Sequence, residues 1–289
     1  MRKKIIIFVG IILIILLYFF IQKYNKIDSF LFKYPSYPIN FAGEEMPVDA
    51  KHFSNKEKFD REFIVTSNTL YQFYLYIKRY PLYIPYIEKK LKENNIPDDF
   101  KYLVIVESAL KNDVISSAGA GGIWQFMPET GKRFGLKIDD YVDERYNFEK
   151  STDAAIKYLN IIYKDLKNRT LVAASYNRGE NAIKQVLIDQ NTDNYYDLYL
   201  NEETGRYVFK ILAVKYMILN YSDNKKIIDL MVGDKFTIPE TKIIQEGEIP
   251  DLVKWANEKG QSYNNIRLLN PWIKGTSLPT GNWEIKILK

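Results

Sequence analysis

From Lys56 to Leu219 the apolar residues recur at helical spacing and not in the alternation of a strand, which restricts the body of this chain to a mainly α fold. Phe59, Phe63, Leu70, Phe73 and Ile77 predict a long helix from Lys56 to about Arg79, ended by Pro81, and Tyr83 to Asn94 predicts another. Leu103, Val106 and Leu110, at i, i+3 and i+7, mark the inward stripe of a third, preceded by the turn Ile96-Pro97-Asp98-Asp99 with an aspartate placed to cap it. Ala155, Leu159, Ile162 and Leu166 predict a core helix capped by Ser151 or Thr152. Leu171 to Tyr176 and Tyr207 to Leu219 complete the set. With 46% apolar residues in 289, the chain has ample material for a buried core.

Glu107 falls on the stripe of the third helix, four residues after Leu103. A carboxyl on an apolar face is poorly solvated, which disfavours its charged form and raises its pKa toward what a general acid needs near neutral pH. Position alone is equally met by a solvated surface glutamate. The residues C-terminal to it are more specific. Ser116-Ser117-Ala118-Gly119-Ala120-Gly121-Gly122 has too little side chain to build a core, and reads either as a plain loop or as backbone that something approaches closely. Trp124, Gln125, Phe126 and Met127 come next, and Pro128 opens a short helix that Gly135 stops. An amide, a thioether and two flat rings on such a backbone suit a sugar.

Both ends of the chain differ from this middle. Ile5 to Ile21 is apolar or aromatic apart from Gly10 and lies behind Arg2, Lys3 and Lys4, so an uncleaved transmembrane anchor with those bases in the cytoplasm is expected. A cleaved signal peptide needs small residues at its cleavage site, and Phe20 to Tyr24 supplies none. Lys23 to Asn55, with Pro35, Pro38 and Pro47, reads as a tether that in part packs on the domain, and His52 as an exposed linker residue. Past Tyr221 the period changes: short β-rich runs from Ile227 to Ile244, short helices at Leu252–Ala256 and Tyr263–Leu269, a turn at Leu278–Gly281 and a final strand at Trp283–Ile287. The expected division is 1–22 anchor, 23–55 linker, 56–225 main domain and 240–289 small α/β module.

Composition removes several function classes. The chain has no cysteine, which excludes disulfides, thiolate nucleophiles and thiolate metal sites, and one histidine, which excludes a multi-histidine metal centre. The net charge of +5 resides in the five bases of residues 1–26, leaving a formally neutral body that gives no support to nucleic-acid binding. Asp143-Glu144-Arg145 reads as a structural charge cluster.

Glu107-Ser108, Gly122-Ile123-Trp124-Gln125 with Met127, Ser175-Tyr176-Asn177 and Glu203-Thr204-x-x-Tyr207-Val208, four stretches in this order, resemble motifs of the lytic transglycosylases of the lysozyme-like superfamily (glycoside hydrolase family 23), most closely the membrane-bound murein transglycosylase D type. Glu107-Ser108 is similar to that family's catalytic Glu-Ser pair, Gly122-Ile123-Trp124-Gln125 with Met127 to its Gly-Leu-Trp-Gln-x-Met signature, and Ser175-Tyr176-Asn177 to its Ala-Tyr-Asn motif, with Ser175 departing from the usual alanine. Glu203-Thr204-x-x-Tyr207-Val208 resembles the closing Glu-Thr-x-x-Tyr-Val motif. About 45 residues at the C-terminal end resemble a LysM-type peptidoglycan-binding module, with Asn270 and Gly281 at its more recognisable positions; a cap packed on the main domain is the alternative.

The resemblance implies a mainly α, lysozyme-like domain (of an α+β superfamily) on a transmembrane helix, facing peptidoglycan glycan strands from the inner membrane on the periplasmic or cell-wall side. It implies nonhydrolytic cleavage of the β-1,4 bond between N-acetylmuramic acid and N-acetylglucosamine, without metal or cofactor. Glu107 would be catalytic, and Ser116, Gln125, Met127, Tyr176, Asn177, Glu203 and Tyr207 would contact substrate. Without the resemblance, Tyr176 reads as packing and Glu203 as a carboxylate favouring a helix dipole. Two rivals stay open: a goose-type lysozyme-like hydrolase with Asp113 as second carboxylate, and a catalytically idle peptidoglycan-binding scaffold.

Overall fold

A computed structural model describes residues 10–21, 34–223 and 225–289. A short ribbon, β1 (Asn40–Phe41) and β2 (Glu44–Glu45), precedes α1 (Phe53–Ser67), α2 (Leu70–Glu93) and α3 (Tyr102–Ser108). Then come α4 (Pro128–Arg133), α5 (Phe148–Leu166), α6 (Arg169–Arg178), α7 (Glu180–Asp189), α8 (Glu202–Asp223) and α9 (Lys225–Val232). The chain closes with β3 (Thr241–Glu246), α10 (Leu252–Glu258), α11 (Tyr263–Leu269) and β4 (Trp283–Leu288).

The helical body forms around α8. Val208, Phe209, Ile211, Leu212, Ala213, Val214, Met217 and Ile218 are all buried, so that this helix is apolar around most of its circumference and has to be covered on most sides. α1, α3, α6 and β1 supply the cover. Residues ahead of α1 belong to this core: Ile39, Phe41 and Met46 have no exposed surface. They are tied down through Asp99, whose Oδ2 accepts from Ala42 N at 2.6 Å and from Lys215 Nζ at 2.7 Å. The tether expected over residues 23–55 therefore gives way to core structure by Ile39. His52, expected to be exposed, is instead bracketed by Asp49 (2.7 Å) and Asp197 (2.9 Å).

Several helix boundaries differ from the sequence reading. The first long helix breaks at Asn68 and Thr69, and α2 runs straight through Pro81 and Pro85. Both prolines lie on its exposed face, where the carbonyls that lose their partners can meet water, while Phe73, Ile77, Ile84, Ile87 and Leu91 on the other face are buried. Asp98 and Asp99 cap nothing, and α5 starts ahead of Ser151 and Thr152, capped by Asn147, which accepts from Lys150 N at 3.1 Å. Residues 225–232, read as part of a β-rich stretch, form α9, with Ile228 and Val232 buried. Residues 10–21 are helical, with 11–21 exposed; residues 1–9 and 22 of the expected anchor and 23–33 of the expected linker lie outside the described residues, and no helix among the described residues is long and apolar enough to cross a membrane.

The C-terminal segment has a core of its own. β3 and β4 pair antiparallel, with Thr241 opposite Leu288 and Glu246 opposite Trp283. Leu252, Ile266, Trp272, Ile273, Leu278, Trp283, Ile285 and Ile287 are buried together, and the rings of Trp272 and Trp283 stack at 5.9 Å. Asn270, fully buried, stitches helix to strand by donating to Ile266 O and Lys286 O and accepting from Lys286 N. Gly281 sits under the Trp283 ring, where a Cβ would come within 2.8 Å of it. One residue of this core, Val142, comes from the loop before α5. The segment is thus a module with its own centre that is also packed against the body, sharing features of both expectations.

Two buried polar groups can be weighed by mutation. Asp99→Ala removes the carboxylate from the nearly buried Lys215 ammonium, which keeps Asn40 O at 2.8 Å, and also removes the acceptor of Ala42 N; it should cost about 2 kcal/mol in chemical denaturation. Ser175 is fully buried with a hydroxyl that has no partner among the described residues, so Ser175→Ala should raise stability by about 1 kcal/mol in the same measurement.

Candidate active site

Glu107 lies in the last turn of α3, which stops abruptly because Ala109 and Leu110 both take left-handed backbone (φ 54° and 58°). Ser108 turns inward and donates to Val104 O at 2.9 Å, leaving Glu107 at the wall of a cleft of about 540 Å³. The opposite wall is the glycine-rich loop. Gly121 and Phe126 exchange backbone hydrogen bonds (2.9 and 3.1 Å), which folds the loop back on itself. At Gly122 (φ 77°) a Cβ would stand 1.9 Å from Arg145 O, so this position accepts glycine alone. Gln125, also left-handed (φ 51°), donates through Nε2 to Gly122 O at 2.7 Å, and Ser116 Oγ accepts from Ala120 N at 3.0 Å.

The charged cluster before α5 holds this loop from behind. Arg145 Nη1 donates to Gly119 O at 2.7 Å and Phe126 O at 3.0 Å, while its Nε and Nη2 donate to Asp143 Oδ1 (2.9 Å) and Oδ2 (2.7 Å). Both residues are 5% exposed. The cluster is structural, as its sequence indicated.

All eight residues singled out from the sequence line the one cleft: Glu107, Ser116, Gln125, Met127, Tyr176, Asn177, Glu203 and Tyr207. Tyr207 reaches Glu107 from α8, donating its hydroxyl to Oε1. Tyr176, from α6, donates to Trp124 O at 2.7 Å and so braces the loop. Asn177 donates to Glu203 Oε1 at 3.1 Å and accepts from Thr204 Oγ1 at 2.9 Å, which makes it a holder of Glu203. Asp113 is elsewhere, in a separate groove with Arg79, Tyr83 and Tyr86.

Burial pushes the Glu107 carboxyl up from 4.5 to about 7; the nearby Glu203 adds to the shift, and the Tyr207 hydrogen bond and the Lys210 charge oppose it. Burial also holds the Tyr176 and Tyr207 hydroxyls well above the ordinary tyrosine range, so both remain donors at any working pH. The cleft therefore offers a carboxylic acid that is half-protonated near neutrality, a second carboxyl group and permanent hydroxyl donors, while the two rings expected to face a sugar, Trp124 and Phe126, are buried in the core beneath it.

Among the lining residues that escaped the sequence reading are Thr130, Tyr158, Arg178 and Lys210. Glu203, Tyr207 and Lys210 stand at i, i+4 and i+7 on one face of α8, so helical spacing from the motif already pointed to Lys210. Tyr158 carried no such signal; it packs between Phe134 and Tyr176, with ring centroids 4.8 and 5.4 Å away.

Known proteins resemble this chain in two segments. Residues 85–198 match the transglycosylase SLT domain model, and residues 241–287 match the soluble lytic transglycosylase C-terminal LysM-like domain model. Membrane-bound lytic murein transglycosylase D of Escherichia coli (strain K12) is 28% identical over 246 residues, 82% of this chain and 52% of that protein. A putative tributyltin chloride resistance protein of Alteromonas sp. (strain M-1) is 27% identical over 106 residues, 36% of this chain and 51% of that protein. The chain spans about half the length of the curated relatives it matches. Among solved structures, an inactive mutant of lytic transglycosylase Slt from Pseudomonas aeruginosa is 22% identical, covering 52% of this chain and 26% of that one at a TM-score of 0.39. The 70 kDa soluble lytic transglycosylase of Escherichia coli is 23% identical, covering 52% of this chain and 24% of that one at a TM-score of 0.37. The chain thus carries a transglycosylase SLT domain followed by a LysM-like domain, and is homologous to membrane-bound lytic murein transglycosylase D.

Proposed function

We propose that this protein is a peptidoglycan lytic transglycosylase that cleaves the β-1,4 bond between N-acetylmuramic acid and N-acetylglucosamine and leaves 1,6-anhydromuramic acid ends. The observation that carries this reading is Glu107: a carboxyl in a sugar-sized cleft, hydrogen-bonded by Tyr207 and with its proton affinity raised to about 7. In its neutral form Glu107 protonates the leaving glycosidic oxygen. As the resulting carboxylate, stabilised by the Tyr207 hydroxyl and by Lys210, it takes the proton of the muramic C6 hydroxyl as that oxygen attacks C1. The substrate's own 2-acetamido group stabilises positive charge at C1.

Ser116, Gln125, Met127, Tyr176, Asn177, Glu203 and Tyr207 are assigned to the substrate cleft, Asn177 acting partly through Glu203 and Tyr176 partly through the loop. Asp113, the carboxylate on which the hydrolase reading relied, lines a different groove, which supports the transglycosylase reading. We further assign residues 1–22 to an inner-membrane anchor, with the domains over 56–225 and 240–289 on the periplasmic or cell-wall side. The apolar run of the sequence and the name of the membrane-bound relative support this placement.

Glu107→Gln should lower anhydro-product formation by about 10³-fold or more on purified peptidoglycan, read by mass spectrometry, with the circular dichroism spectrum unchanged. Activity within tenfold of wild type removes Glu107 from the mechanism. The acid form is present below its pKa and lost above it, so the rate should fall as pH rises through about 7. Tyr207→Phe deletes a hydrogen bond that favours the carboxylate, so that the surviving activity should lose its acid form at a higher pH than wild type. An unmoved or lowered midpoint in the pH–rate profile contradicts this assignment.

A further inference from the structure

The loop between α4 and α5 has two occupied sides. On one, Val142 is fully buried in the core of the C-terminal module and bridges to Ile273. Asp143 N donates to Trp272 O at 2.8 Å, and Lys274 N donates to Tyr141 O at 2.8 Å. On the other side Arg145 grips the carbonyls of Gly119 and Phe126 in the glycine-rich loop. Asp143 joins the two: its backbone N–H is fixed by the module, and its carboxylate fixes the guanidinium.

The planar fork of arginine is what makes this junction work, because one side chain saturates a carboxylate with two donors and still directs a third at two carbonyls. Buried as it is, the guanidinium cannot swing away without leaving Asp143 charged and unpaired. The loop it holds supplies Ser116, Gln125 and Met127 to the cleft, and Trp124 O to the Tyr176 hydroxyl.

We propose that Arg145 is a positioning residue of the cleft, and that docking of the C-terminal module on Val142 and Asp143 sets the geometry of the glycine-rich loop through it. The module then acts on the chemistry of the cleft as a brace, separately from any contact of its own with the cell wall. The kinetic part of this proposal rests on the transglycosylase reading; the structural part does not.

The test uses the full-length protein with Arg145→Lys, which keeps the charge and loses the fork, Val142→Asn at the seam with the module, and the double variant. In hydrogen exchange followed by mass spectrometry, peptides covering 115–127 should exchange at least tenfold faster in both single variants, while peptides from 207–218 stay at the wild-type rate. On soluble glycan chains kcat should fall at least tenfold in each, with a smaller change in KM, and the double variant should be no slower than Arg145→Lys alone, since both act along one path. Should Val142→Asn not fold, Val142→Ala provides the milder perturbation. Exchange that rises only in residues 139–146 and the module, or kcat losses that multiply in the double variant, overturns the proposal. If the wild type forms no anhydro product, the functional reading fails, and the exchange measurement still decides whether the brace exists.

Discussion

The cleft depends on one carboxyl being poorly solvated while remaining able to ionise. Glu107 meets that condition because it is wedged between the apolar interior that α3 faces and a phenol from α8 that donates to it. Burial drives the acid toward its neutral form, the Tyr207 hydrogen bond and the Lys210 charge oppose it, and the balance falls near neutrality. Much of the remaining architecture keeps these groups at fixed separation: the cover of α8, the brace of Tyr176 on Trp124 O, and the hold of Asn177 on Glu203.

α8 serves two purposes that conflict in most helices. It is the central beam of the hydrophobic body, and its first turns also present Glu203, Tyr207 and Lys210 to a polar cleft. The conflict is resolved along its length: the stretch from Ile211 to Ile218 is buried almost all round, and the side chains that face the cleft stand in the first turns. Carboxylates there also meet the positive end of the helix dipole.

Where a feature depended on local spacing, the sequence was readable. The i+4 position of Glu107, the glycine run and the Pro128 start all appear as expected, and the eight candidate residues do line one cleft. Where a feature depended on which side of a helix faces water, it was not. Pro81 terminates a helix by local rules, yet on an exposed face with a buried stripe opposite, tertiary packing carried the helix through it. The burial of Ile39, Phe41 and Met46 was hidden for a related reason: a short segment between prolines has no period to reveal, and its place is fixed by Asp99 and Lys215 from distant parts of the chain. Tyr158 reached the cleft by packing alone, which no motif records.

Val142 also bears on how such a chain can be recombined. Its side chain completes the centre of a module whose other core members all lie between Ile249 and Ile287, more than a hundred residues further along. The transferable unit is therefore discontinuous: a graft of the C-terminal residues onto another scaffold carries a socket without its plug, and a replacement module accepted by this body has to offer a pocket for the same valine. Exchange between relatives is easiest where loop and module travel together, and the spacing of matched segments along the sequence, 85–198 and 241–287, gives no sign of that linkage.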